Sequence, residues 1–178
     1  MVFLIPHRLS EDPGPAIASL HPYPALALPD TERLGPGFQM CRALMRMERP
    51  PEYIGNLDAD DLCADVGVVG RMLDRMRRDP LASIIYADYN EGGHVSEDEE
   101  RNEGIGLRIW RTSSLLACGG FNPTIRIAYD FDLLLRLPPP RLVHLEIATI
   151  RGSHPGQLTN NRTPRDRALI DWIGKRPP

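Results

Sequence analysis

An α/β sandwich on a mixed, mostly parallel sheet, with helices on both faces, is the fold class that two features of this sequence predict. Short apolar runs alternate with segments of helical period, and the clearest run, Tyr53–Leu57, delivers a group of carboxylates where strands of such sheets end and place their ligands. The length of 178 residues suits one domain, taken as 1–178, with a sizeable core. Twenty-four acidic against twenty-one basic residues give no electrostatic case for nucleic acid or an anionic membrane. The three cysteines, Cys41, Cys63 and Cys118, are too far apart for a zinc spacing or a disulfide framework. A reducing cytoplasm is therefore expected. The N-terminal run lacks the charged front of a signal peptide, and no apolar stretch approaches the ~20 residues of a transmembrane helix, so a soluble product is expected.

Taken in order, Val2–Ile5 closed by Pro6 predicts a short buried strand. Four prolines in 7–24 leave at best one helical turn around Ala16–Leu20, and Ala25–Leu28 suggests a second short strand. Phe38, Cys41, Leu44, Met45 and Met47 have helical spacing, and Pro50-Pro51 ends that helix before the strand at 53–57. Asp65 is placed to cap the next helix, whose apolar face is Val66, Val69, Met72, Leu73 and Met76. Ser83–Ala87 predicts a buried strand, and the acidic stretch 91–103 an exposed loop. A strand over Ile105–Trp110 leads to a short helix capped by Thr112 and closed by Gly119-Gly120. One glycine suffices for a helix C-cap; the second leaves room for a close approach to a ligand. A helix over Ile127–Leu137 follows, then a strand at Leu142–Ile150, a loop from Arg151, and a last helix docked by Leu169, Ile170, Trp172 and Ile173.

Asp58, Asp60 and Asp61 stand within four residues. Carboxylates this close repel one another unless a cation or hydrogen-bond donors take up the charge, and Asp-x-Asp at a strand end offers hard oxygens to Mg²⁺ or Mn²⁺. An Asp-rich turn capping a helix is the plain alternative for an isolated motif. Two further segments accompany this one: CGGFNPTIRIAYDFDLLLRL at 118–137 and RGSHPGQLT at 151–159.

In that order and at those separations, LDADD (57–61), the 118–137 segment and the 151–159 tail resemble the family 2 glycosyltransferases of the GT-A fold, over about residues 37–165. The resemblance implies a metal-dependent transfer, inverting when the base acts directly, from a UDP- or GDP-linked sugar donor to an acceptor hydroxyl. It implies Asp58 toward the nucleoside, Asp60 and Asp61 toward Mn²⁺ or Mg²⁺, Asp130 as the base, and His154 completing the metal shell. Tyr129 stands where the family often has glutamate, and His154 lies one residue further from Arg151 than in the common R-x-H. Asp132 and Arg136 are expected to hold the helix in place. Gly37–Arg42 resembles the family's G-x-x-x-x-R helix start, with Ala43 in place of asparagine, and the region before it is about one strand-helix unit short. Asp30 is the candidate for the carboxylate that reads the base, and Gly119 and Gly120 are candidates for contact with the donor.

The chemistry needs a cation on the diphosphate and a carboxylate to accept the proton of the attacking hydroxyl. A second expectation is a catalytically degenerate domain that binds a nucleotide or a partner protein, motivated by the short front and Tyr129. A phosphodiesterase or nucleotidyltransferase would also use Asp58 and Asp60 but leaves the GGF and DFDLLLR segments without a role. A homo-oligomer in which a second copy completes the nucleotide side is a further expectation; the acceptor is not legible.

Overall fold

The structure is a computed structural model that describes residues 1–91, 94–95, 107–137 and 142–150. Its strands are β1 (Val2–His7), β2 (Ala25–Pro29), β3 (Tyr53–Asn56), β4 (Leu62–Cys63), β5 (Ile84–Glu91), β6 (His94–Val95), β7 (Arg108–Arg111) and β8 (Leu142–Ile150). The helices are α1 (Gly14–Ser19), α2 (Pro36–Arg46), α3 (Gly67–Arg78), α4 (Thr112–Ala117) and α5 (Tyr129–Arg136). The strands form one sheet in the order β2-β1-β3-β7-β5-β8-β4, with β6 paired to β5. β2, β1 and β3 are parallel, β5 and β8 are parallel, and β7 runs against both of its neighbours, β3 and β5. β2, β1, β3, β5 and β8 therefore share one direction, so the sheet is mixed and mostly parallel, as expected.

Period-two alternation divides the apolar side chains between two layers. Phe3, Ile5, Ile85 and Ile109 face a core completed by Ala16 and Leu20 on the α1 side and Val68, Val69, Met72, Leu73 and Met76 of α3. Leu4, Ile54, Ile84 and Trp110 face the opposite core, closed by Met40 and Leu44 of α2, Leu115 of α4, and Leu133 and Leu134 of α5. Helices thus cover both faces. Arg111, at the end of β7, donates to the carbonyls of Met76, Asp79 and Ala82 and so ties the C-terminal end of α3 to the sheet.

Several boundaries differ from expectation. The proline-rich front does fold: β1–α1 and β2–α2 are two strand-helix units ahead of β3, where the sequence suggested about one too few. They are compact, since α1 has only six residues. β5 runs on to Glu91 and pairs with the two-residue β6, inside a stretch expected to be loop. Asp65 does satisfy the start of α3, accepting from Gly67 N–H at 2.9 Å. Thr112 does not cap α4; its hydroxyl donates to the Pro51 carbonyl instead. The 151–159 tail and the expected last helix lie outside the described residues.

Gly55 marks where β3 is packed most closely, because a Cβ there would run into the Phe3 ring on the neighbouring strand. Gly55→Ala is expected to destabilise the fold by ~1–3 kcal/mol through overpacking. Urea unfolding followed by tryptophan fluorescence would measure this, and an unchanged midpoint would contradict the packing described.

Candidate functional site

β3 ends at Asn56, so the chain leaves the sheet at its carboxyl edge and turns at once through Asp58, Ala59, Asp60 and Asp61. The Asp61 N–H donates to the Asp58 carbonyl at 3.0 Å and closes that turn. Asp58 and Asp60 are half-buried, while Asp61 is buried at 5% exposure. The turn keeps all three carboxylates at one strand end, where open α/β sheets bind ligands.

β7 supplies the group that faces them. Because it runs antiparallel, its first residue lies where β3 ends, and Arg108 is in register with Asn56 on one side and Tyr86 of β5 on the other. The Arg108 guanidinium is buried, with its side chain 4% exposed. Nη1 donates to Asn56 Oδ1 at 2.8 Å, and Nη2 pairs with Asp130 Oδ2 at 2.8 Å. The Tyr129 hydroxyl donates to the same Asn56 Oδ1 at 3.1 Å, while Asn56 Nδ2 reaches the Leu4 carbonyl at 3.4 Å. Burial pulls the pKa of Arg108 down, but the neighbouring carboxylate charges, Asp130 foremost with Asp58 and Asp61 behind it, help to outweigh it and push the value above the ordinary guanidinium range. Arg108 is a permanent cation among carboxylates.

Asp130 is delivered by the start of α5. Ala128 precedes that helix in the left-handed region at φ 58°, an uncommon conformation for a residue with a Cβ. The turn swings Tyr129 inward and puts Asp130 in the first helical turn, where the helix dipole favours negative charge. Asp130 Oδ1 accepts from the Phe131 N–H at 2.9 Å. Asp132 is fully buried and pairs with Arg136 through Nε and Nη2, while Nη1 donates to the Cys118 carbonyl and Nη2 also to the Gly120 carbonyl. The expected anchoring role of that pair is therefore what its contacts perform.

The remaining sequence candidates are distributed differently. Asp30 stands at the same sheet edge after β2, but its oxygens accept from Leu34 N–H, Gly35 N–H and Gln39 Nε2 and shape the entry to α2. Gly119 and Gly120 both have positive φ, 87° and 71°, and close the end of α4 by donating to Leu116 and Leu115 carbonyls. Both glycines are thus used by the helix end. Through its carbonyl Gly120 is tied to Arg136 in the last turn of α5, whereas Asp130 is in its first. His154 lies outside the described residues.

Asn56 and Arg108 were not singled out from sequence. The signal for Arg108 was present: a charged residue inside an apolar strand, Leu107-Arg108-Ile109-Trp110. The donor set of the Asp58–Asp61 turn consists of hard carboxylate oxygens and fits Mg²⁺ or Mn²⁺. Among the described residues no group of three or more His, Cys, Asp or Glu side chains is arranged to hold a metal ion. A bound cation would then complete its shell with water or phosphate oxygens, as Mg²⁺ commonly does. Among the described residues no helix is long and apolar enough to cross a membrane.

No family model and no curated protein matches the chain. Solved structures do. A mannosyltransferase from Pyrobaculum calidifontis in complex with GDP-Man and Mn²⁺ superposes with a TM-score of 0.64 at 13% identity, over 99% of this chain and 65% of that one. Residues 1–349 of S. aureus TarS give 0.68 at 14% identity, over 97% and 63%. Glucosyl-3-phosphoglycerate synthase from Mycobacterium tuberculosis, in complex with Mg²⁺ and UDP, gives 0.66 at 12% identity, over 99% and 80%. The chain thus spans somewhat less than two thirds of the mannosyltransferase and of the 1–349 portion of TarS. At these identities the likeness establishes the fold: the chain has the GT-A architecture.

Burial first, and then the Asp58 charge, hold the Tyr129 phenol well above its ordinary pKa. It is a neutral donor at physiological pH. Stability linked to Tyr129 is intact below the ordinary phenol range and is lost as pH rises through the folded-state value. In an alkaline titration followed by tyrosinate absorbance, Tyr129 is expected to ionise only as the protein unfolds. Tyr129→Phe should reduce that late step; an undiminished one would contradict the assignment.

Proposed function

We propose that the protein is a glycosyltransferase that moves a sugar from a UDP- or GDP-linked donor to an acceptor hydroxyl with inversion at C1. The observation that carries this reading is the facing of the Asp58–Asp61 turn and Asp130 across Arg108 at the carboxyl edge of a GT-A sheet. Asp58 is assigned to the nucleoside side of the donor, and Asp60 and Asp61 are the residues that would hold Mn²⁺ or Mg²⁺. When bound, the cation would neutralise charge on the departing diphosphate. The acceptor oxygen attacks C1 as the bond from C1 to the β-phosphate oxygen breaks, and Asp130 takes the acceptor proton. Holding donor and acceptor in line beside a fixed base supplies much of the acceleration by positioning. Asp130 is suited to the role because it is partly exposed, at 19%, while Arg108 and the Phe131 N–H fix its orientation.

A second reading, a domain that binds a nucleotide or a partner protein without turnover, is favoured by the same ion pair, since both Asp130 oxygens already have a donor. Turnover separates the two. Purified protein is expected to release UDP or GDP from a panel of UDP- and GDP-sugars in Mn²⁺, with EDTA or Asp60→Ala abolishing release. Asp130→Ala should lower transfer by ~10²–10⁴-fold, the usual worth of a general base. Full transfer by Asp130→Ala would remove it as the base, and nucleotide binding without release from any donor would favour the second reading.

A further inference from the structure

We propose that Arg108 is the built-in counter-cation of the acidic cleft: it positions Asp130 and weakens the hold of the Asp58–Asp61 turn on a divalent metal ion. The inference rests on the reading of this cleft as a metal-assisted donor site, and deepens it by assigning a residue that sets metal affinity.

Geometry carries it. Arg108 is the first residue of the reversed β7 and pairs with Asn56 at the carboxyl end of β3, two residues before the first carboxylate of the turn, Asp58. It is held from two sides, by Asn56 on β3 and by Asp130 on α5, so its charge cannot swing out to solvent. Tyr129 fixes Asn56 from the same side and keeps the amide oxygen turned toward the guanidinium. The charges of Asp58 and Asp61 also act on Arg108. A fixed positive charge this near must compete with any second cation, and it lets the cleft assemble before a metal arrives.

Mn²⁺ alone is the probe, its free concentration read by electron paramagnetic resonance, with and without UDP. Wild type is compared with Arg108→Met, Arg108→Gln and Arg108→Lys, with near-ultraviolet circular dichroism as the check on folding. Loss of the unit charge should tighten Mn²⁺ binding on the order of tenfold in Arg108→Met. Arg108→Gln should do the same while keeping hydrogen-bond donors toward Asn56 and Asp130, so it decides the matter where the Met variant does not fold. Arg108→Lys, which keeps the charge, should stay within about twofold of wild type by the same reasoning. Unchanged or weaker Mn²⁺ binding in a folded neutral variant would overturn the proposal, as would a Lys variant that binds like the neutral ones. Failure of the glycosyltransferase reading looks different: the Mn²⁺ ranking persists while UDP and GDP do not bind.

Discussion

The buried ion pair between Arg108 and Asp130 is the constraint on which the rest of the site depends. It joins the sheet to α5, and through Asn56 it joins β7 to β3. A guanidinium with 4% of its side chain exposed has given up most of its hydration, so it persists only because carboxylate and amide oxygens replace the lost water. Removing one partner from such a pair typically costs ~3–5 kcal/mol, because a buried charge is left behind. The site and the stability of this corner of the fold are therefore coupled.

The topology explains why this pair exists. An all-parallel sheet would place the amino end of the strand beside β3 at the opposite edge. The reversal of β7 brings Arg108 to the edge where Asn56 ends and the Asp58–Asp61 turn begins. The left-handed Ala128 then directs Tyr129 into the same gap and starts α5 with Asp130 at its mouth. Behind these residues, Trp110 meets Phe121 and Phe121 meets Tyr129 in a chain of ring contacts, so the polar cluster rests on a rigid apolar floor. The carboxylate turn, the fixed cation and the candidate base are thus three separate elements held at one sheet edge.

Much of this was legible in the sequence because it is periodic or local. The apolar runs Val2–Ile5 and Ser83–Ala87, the apolar stripe of α3 and the Asp-x-Asp after β3 all report on neighbours along the chain. The reversed direction of β7 was not legible, since strand order is decided by pairing between distant residues. Without it, Arg108 reads as one more charge in a strand. The role of Asp30 was hidden for a related reason: its hydrogen bonds to Leu34, Gly35 and Gln39 depend on the path of the turn into α2. The second glycine of Gly119-Gly120 looked spare on counting caps, yet both adopt positive φ to end α4.

Calorimetric titration of UDP and GDP, each with Mn²⁺ and with EDTA, into wild type and Asp60→Ala tests the donor cleft most directly. Binding of one nucleotide that requires Mn²⁺ and is lost in Asp60→Ala is the expected result. Absence of binding by both nucleotides in Mn²⁺, or binding that ignores both EDTA and the substitution, would contradict the assignment of the Asp58–Asp61 turn as a metal-assisted donor site.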